Sequence, residues 1–447
     1  MKQKPLWPVL AGCLAAALVA PAPAVRADPA TAARFDRETA YRTMEGGEGT
    51  TLIRGDFSGA DGLDDIVVLD ALSNSWWLHQ GDGRDGGGIH DGTFTLRSSG
   101  PLGVNLVRSA APGFLDGDAL LDFAVVGYSP GSLSVMLNDG EGHFRTGQVI
   151  GFPPESGPVS VAVIGGGRPA SAILVAMYGL GEVHHFVAAG SGRFEPHPVQ
   201  PVIGVGLKPQ FLLAEGFGPA SGHPPPLDLN RDGRPDVVTV NYGDGSVSVL
   251  LGCGAAVPPP GCLPRNLAGT FSAPRHEVVS LPGGTVSTGG AGTGIRSAAA
   301  GDFNGDGADD LAIIEYSATG CTVHTLLGRG DGTFRPGPGS SVPTETDSRA
   351  GIVPSGSGPF IAAGHFNTDG IPDLVFPIGG NGDFAIIMLG QGADGVPTGL
   401  FAPAAALVTS GPAWNVAASD VNGDGIWDIY LSLVSSPGAQ LSVFVSR

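Results

Sequence analysis

The sequence predicts an all-β protein, a closed ring of seven four-stranded units whose last unit is completed by a strand from the N-terminal segment. Three observations predict it. A Gly-x-Phe triplet recurs six times, and an Asp-rich or Gly-rich turn begins seven times before a short apolar run. Those runs are rich in β-branched residues and lack a helical 3.6-residue period.

The triplets are Gly92-Thr93-Phe94, Gly142-His143-Phe144, Gly192-Arg193-Phe194, Gly269-Thr270-Phe271, Gly332-Thr333-Phe334 and Gly399-Leu400-Phe401. Each follows a turn, an apolar run such as Asp310-Leu311-Ala312-Ile313-Ile314, a tight turn and a second run such as Ser246-Val247-Ser248-Val249-Leu250-Leu251. A unit therefore reads as strand, Asp loop, strand, tight turn, strand and Gly-x-Phe strand, which is a blade of a β-propeller. The loops begin near residues 56, 114, 163, 228, 302, 365 and 420. The seventh unit ends after Leu441-Ser442-Val443-Phe444-Val445 with no triplet of its own, and Ala33-Arg34-Phe35 resembles the missing piece. A strand supplied from there closes the ring and removes its open edges.

The N-terminus reads as a secretory signal over residues 1–27, ahead of a single propeller domain over 28–447. Lys2 and Lys4 precede an apolar stretch from Leu6 to Ala20. Val25-Arg26-Ala27 places cleavage before Asp28, with Ala22-Pro23-Ala24 as the alternative. Leu10-Ala11-Gly12-Cys13 also spells a lipoprotein box, and lipidation of Cys13 is the alternative to release. The apolar run continues past Cys13 to Val19, which favours release. No later stretch stays apolar for the ~20 residues of a membrane span. The expected location is secreted or periplasmic.

Composition narrows the partners. The 74 glycines and 38 prolines would suit disorder, but a hydrophobic content of 42% set in short β-runs does not. The formal charge is −19, and Lys208 is the only lysine beyond residue 27. Such a surface repels nucleic acid and anionic lipid. Beyond Cys13, Cys253 and Cys262 bracket a Pro-rich loop and are expected to form a local disulfide. Cys321 is left over, and its pairing with either of them stays open.

The Asp loops carry the chemistry. Three fit Asp-x-Asn-x-Asp-Gly-x-x-Asp: Asp228, Asn230, Asp232 and Asp236; Asp302, Asn304, Asp306 and Asp310; Asp420, Asn422, Asp424 and Asp428. Oxygen donors at every second residue, with Gly allowing a sharp turn, suit a hard cation of calcium size. An EF-hand would need Glu at position twelve, where Thr239, Ile313 and Leu431 stand, so the ninth-position Asp is expected to close the shell. Blade one, with Asp56, Ser58, Asp61 and Asp65, is stretched by one residue. Blade six keeps Asn367, Asp369 and Asp373 but has His365 first; blade two keeps Asp116, Asp118 and Asp122 but has Phe114 first. Blade three, Gly165-Gly166-Gly167-Arg168-Pro169-Ala170, has no carboxylate and is expected to be metal-free.

The segments Gly301-Asp302-Phe303-Asn304-Gly305-Asp306-Gly307 and Asn241-Tyr242-Gly243-Asp244-Gly245-Ser246-Val247-Ser248-Val249-Leu250-Leu251-Gly252 resemble FG-GAP/VCBS repeats, the blades of integrin-α-type propellers. The resemblance covers essentially all of residues 28–447. It implies a calcium ion in the loop between first and second strands, on one face of the disc. It leaves the function broad: adhesion modules, lectins and parts of enzymes all carry such blades.

Several tempting motifs are set aside. Arg54-Gly55-Asp56 spells an integrin-ligand tripeptide, but its Asp begins a metal loop. Gly127-Tyr128-Ser129-Pro130-Gly131 spells a nucleophile elbow, yet no helix follows. Tyr128, Tyr178, Tyr242 and Tyr316 share one repeat position at the end of the second strand. On the face opposite the Asp loops they are candidates to contact a sugar or protein. Trp76-Trp77 is a second exposed-aromatic candidate, and Pro282 to Ile295 is the most insertion-like loop. The leading reading is a non-catalytic binding or adhesion module for an extracellular protein or glycan. The alternative is a calcium-stabilised carbohydrate-active enzyme of lyase or dehydratase type.

Overall fold

A computed structural model of the chain describes residues 35–36, 38–42, 49–58, 62–81, 83, 90–165, 172–218, 224–254, 260–262, 269–278, 294–317, 320–342, 361–378, 384–393, 396–435 and 438–446. The expected signal segment, most of the blade-three loop and most of Pro282–Ile295 lie outside them. Among the described residues every named element is a strand, and no helix is long and apolar enough to cross a membrane.

The strands form seven antiparallel sheets. In blade five the inner strand Gly294–Gly301 pairs with Asp310–Ser317, which pairs with Gly320–Gly328, then with the outer strand Phe334–Val342. The inner strand runs into the Asp loop, where Gly301 opposes Asp310, and the tight turn lies at the other end, where Ser317 opposes Gly320. Asp loops therefore share one face of the disc, and tight turns and inter-blade links share the other. Blade three departs slightly, because Val202–Gly204 adds a short fifth strand beside Glu182–Gly190.

Burial explains the apolar runs. The second and third strands of blade two, Asp122–Gly127 and Ser132–Asn138, are buried at every residue. Neighbouring blades cover both of their faces, so they read as continuous apolar runs rather than as an alternation. The inner strand carries a register shift near its start in six blades, between Gly49/Thr51, Val107/Ser109, Pro158/Ser160, Pro209/Phe211, Ile295/Ser297 and Ala413/Asn415. Such bulges add twist where strands crowd the axis.

The core is not one mass but seven clusters, each shared by two adjacent blades. This gives the Gly-x-Phe triplet its meaning. Phe144 packs edge-on against Phe57 of the preceding blade at 5.6 Å, and Phe401 against Phe303 at 5.2 Å. All six triplet glycines have positive φ, from 73° to 85°. A Cβ at Gly332 would come within 2.7 Å of Leu251 in the preceding blade. Glycine is needed there for both the left-handed backbone and the close approach.

The ring is completed at its seam. Thr39–Arg42 pairs with Gly438–Phe444, opposing Thr39 to Val443 and Tyr41 to Leu441. Phe35 makes one bridge to Ser446, and its ring lies 6.3 Å from Phe366 of blade six. Phe35 thus takes the inter-blade place of a triplet Phe, while the strand itself lies further along the chain. The last cluster joins Val421, Tyr430, Leu441 and Val443 of blade seven to Leu52, Ile66, Val68 and Phe94 of blade one.

Trp76 and Trp77 are buried at 2% and 6% exposure, which corrects the expectation that they are exposed. Gly100 of the outer strand lets Trp76 lie against the sheet, where it meets Phe144 at 5.0 Å. Cys253 and Cys262 are disulfide-bonded with Cα atoms 5.9 Å apart. Cys321 is a free, buried thiol pushed up to about 12 by burial, and so is inert as a nucleophile at neutral pH.

His79, in the third strand of blade one, is buried with no hydrogen-bond partner at either ring nitrogen. Burial pushes its pKa down to about 4. The folded state therefore favours neutral His79, so its contribution is complete above the unfolded value near 6.5 and is lost as pH falls toward 4. The loss is on the order of 3 kcal/mol when complete. His79→Leu is expected to hold its urea midpoint between pH 7 and pH 4 better than the wild type. An unchanged pH dependence would show that His79 does not set acid sensitivity.

Candidate functional site: the Asp loops and the opposite face

The ninth-position carboxylate is the fixed point of each loop. Asp65, Asp122, Asp236, Asp310, Asp373 and Asp428 are all fully buried. One oxygen accepts the amide of loop position two: Phe57 at 2.8 Å, Leu115 at 2.8 Å, Leu229 at 2.8 Å, Phe303 at 3.0 Å, Phe366 at 2.8 Å and Val421 at 2.8 Å. The other accepts an amide at the end of the third strand: Gly81 at 2.9 Å, Asn138 at 2.8 Å, Gly252 at 2.7 Å, Gly328 at 2.7 Å, Gly390 at 2.8 Å and Ser446 at 2.7 Å. Each Asp thus latches its loop to the third strand, in complete and incomplete loops alike. In most of the six at least one oxygen takes a single amide and keeps a second lone pair, so the latch does not preclude a metal contact.

Burial pushes these carboxyls up, opposed by the amide hydrogen bonds. Asp65, Asp122, Asp236 and Asp310 rise to about 7, Asp373 to about 8 and Asp428 to about 6. Neighbouring loop acids add to the rise at Asp122, Asp236, Asp310 and Asp373. A cation in the loop would offset both burial and like-charge repulsion.

The first and third donors curl around the loop backbone. Asp302 accepts amides of Gly305, Asp306 and Gly307, and Asn304 accepts that of Asp306. Asp228 accepts amides of Asp232 and Gly233, and Asp420 those of Asp424 and Gly425. At position five, Asp232, Asp306 and Asp424 accept the amides of Arg234, Ala308 and Ile426. Gly233, Gly307 and Gly425 have φ of 77°, 82° and 89°, the left-handed turn that brings the donors round. All-oxygen donors on a tight left-handed turn fit a calcium ion.

The incomplete loops differ in geometry. In blade two the oxygens of Asp116, Asp118 and Asp122 lie within 4.8 Å of one another, forming a possible acidic metal cluster. It is the one such carboxylate group found among the described residues, and Phe114 packs toward the core instead of donating. In blade six His365 turns its ring to Phe217 at 5.3 Å, while Asn367 and Asp369 keep the loop turn. In blade one Asp56 accepts the amide of Gly62, and the Ser58 amide donates to Asp65 at 2.7 Å; Asp61 lies outside the described residues. Arg54 is held by Asp64 at 3.0 Å and does not extend as a free tripeptide arm.

On the opposite face the four tyrosines behave unequally. Tyr242 and Tyr316 are buried, and Tyr128 and Tyr178 are half-buried. Tyr178 stacks on Tyr242 at 6.5 Å, and Tyr316 donates to the Pro377 carbonyl at 3.3 Å. Arg108, Lys208 and Arg296 lie over the rings of Tyr128, Tyr178 and Tyr242 at 5.1, 5.7 and 4.3 Å. Much of the ring area that could stack on a sugar is thus covered from within.

Sequence reasoning missed what surrounds these rings. The amides of Tyr128, Tyr178 and Tyr242 donate to the carbonyls of Leu106, Gly157 and Lys208, and all three acceptors have φ of 52° to 54°. The left-handed form costs an ordinary side chain roughly 1 kcal/mol, and at Leu106 and Lys208 it presents a side chain outward. Leu72, Leu106, Leu180 and Leu207 are 40% to 62% exposed, all in turns or links of this face.

Sequence reasoning also missed a hairpin that extends the inner strand of blade four. Glu215 bridges Pro226, and the Leu227 amide donates to the Ala214 carbonyl. Phe217 of this hairpin stacks on Trp427 of blade seven at 5.5 Å and 3°. The hairpin therefore spans the axis on the Asp-loop side. The wide spacing between Phe194 and Phe271 and the run Pro224-Pro225-Pro226 were the available signals.

Seven antiparallel blades with Asp loops between inner and second strands define a seven-bladed β-propeller. Residues 295–332, in blade five, match the FG-GAP repeat family, and the seven-bladed ring fits the propeller such repeats build. No curated protein sequence matches the chain. Similar solved structures include a chain of the Chaetomium thermophilum Polycomb Repressive Complex 2, at 9% identity and TM-score 0.54, covering 93% of this chain and 98% of that one. Another is the periplasmic gluconolactonase of Pseudomonas aeruginosa, at 12% identity and TM-score 0.50, covering 89% and 100%. At such identities the likeness extends to the fold alone.

Proposed function

We propose that the protein is an exported, calcium-braced binding module. The Asp loops of blades four, five and seven hold calcium on one face, with blades one, two and six as lesser sites. The opposite face meets an extracellular partner, and the observation that carries this is its row of exposed leucines beside Tyr128, Tyr178, Arg108 and Lys208. Apolar, aromatic and Arg side chains are what protein interfaces gather. A protein is favoured over a glycan because the tyrosine rings are already covered. The disulfide is consistent with an extracellular or periplasmic location.

A paired Leu106→Asp and Leu207→Asp variant tests the reading. Both side chains are exposed, so the melting temperature should stay within about 2 °C of the wild type. Binding to extracellular proteins, identified by pull-down and confirmed with purified partner, should fall about tenfold or more. Undiminished binding would remove this face from the reading. Binding on a glycan array, with turnover of the bound sugar, would favour the carbohydrate-active enzyme instead.

A further inference from the structure

The seven inner strands enclose an axial cavity of about 270 Å³ on the Asp-loop side of the disc. Its walls are largely small residues, including Ala111, Ala162, Ala299 and Ala418, which leave the axis open. The blade-four hairpin closes it in part, bringing Glu215, Phe217 and Trp427 into its lining with Phe211. Among the described residues, two charged side chains line it, Glu215 and Arg54.

Those two are not equivalent. Arg54 is committed to Asp64 at 3.0 Å, so that pair is neutral. Glu215 is ringed by protein yet solvent-accessible, so its carboxylate faces the void rather than a packed wall. No hydrogen bond or ion pair holds that carboxylate among the described residues. Burial pushes its pKa up, and the more distant Arg54 opposes this only in part.

We propose that the axial cavity binds a small organic cation, an ammonium or guanidinium group carried on an apolar body. The cationic head meets Glu215, the one uncompensated charge of the lining. The apolar body lies against Phe211, Phe217 and the alanine walls, and the flat Trp427–Phe217 pair offers ring faces that attract a cation. An anion would meet Glu215, with Arg54, the one cation of the described lining, already paired to Asp64. A metal ion would find one carboxylate where calcium takes six to eight oxygens. The site adjoins the blade-seven Asp loop through Trp427 but uses none of the loop carboxylates and lies away from the leucine-bearing face, so it stands whether or not those readings hold.

Phenethylamine and its anionic counterpart 3-phenylpropionate, titrated into the full-length protein by calorimetry in saturating calcium, make the test. Phenethylamine is expected to bind and to change Trp427 fluorescence in a Trp427→Phe difference measurement, while 3-phenylpropionate does neither. Glu215→Gln should weaken phenethylamine binding about tenfold or more while keeping the shape of the side chain. Binding of neither compound, equal binding of both, or full affinity in Glu215→Gln would each overturn the proposal. If Glu215→Gln does not fold, the contrast between the two compounds on the wild type decides. Failure of the calcium reading would show separately, as a melting temperature indifferent to chelator.

Discussion

Asp373→Ala is expected to lower stability by about 2 to 6 kcal/mol, with little difference between calcium and chelator. The cost comes from two buried amides, Phe366 and Gly390, each 2.8 Å from an Asp373 oxygen. With the side chain gone, both lose their acceptor in a place water does not reach, and each unpaired buried donor costs about 1 to 3 kcal/mol. Blade six lets this role be read largely apart from metal binding, because His365 replaces the first acid of its loop and leaves it one of the lesser sites. Asp369→Ala is the control. Asp369 is exposed and accepts a loop amide from Ile371, so its loss should cost less than about 1 kcal/mol in chelator. Urea midpoints of the two variants, with and without calcium, decide it. Equal and small losses for both would remove the latch.

Chelation of the wild type is expected to have the largest effect of all. Extracellular calcium modules bind with Kd near 10⁻⁴ to 10⁻³ M, so roughly 10 mM calcium sits about a hundredfold above the tighter value. At that ratio one site adds about 2.7 kcal/mol to folding, and three independent sites add on the order of 8 kcal/mol. EGTA should remove this and lower the melting temperature markedly. Asp228→Ala, Asp302→Ala and Asp420→Ala combined should start low and respond little to EGTA. Each of these side chains takes loop amides at the start of a complete loop. A wild-type melting temperature unmoved by EGTA would falsify the calcium reading.

The ring was legible because its landmarks are local. Gly-x-Phe marks a left-handed glycine beside a phenylalanine that must reach the preceding blade, and few other residues can do both. The Asp loops were legible as oxygen-rich turns. The second task of their ninth residue was not, because Gly81 or Ser446 meets that carboxylate only after the third strand folds back beside it. Repeat position alone also could not tell a half-buried Tyr128 from a buried Tyr316. That depends on which cation or carbonyl the neighbouring blade supplies, such as Arg296 over Tyr242 or Pro377 below Tyr316. Trp76 and Trp77 misled for a related reason: two adjacent side chains on a strand point to opposite faces, but both faces of a blade are interior. The Glu215 hairpin showed only as extra length.

The seam between Thr39–Arg42 and Gly438–Phe444 bears on how the molecule is made. The strand that opens the ring finds its partner only in the seventh blade. Six blades can fold in order as they leave the ribosome, each resting on the one before. The opening segment must wait unpaired through all of that time. Its strand is short, four residues, and so offers little edge for a stray chain to pair with during the wait. A chain cut short near its end would leave two raw edges at once, at the first blade and at the last, and would present itself to quality control as an open arc.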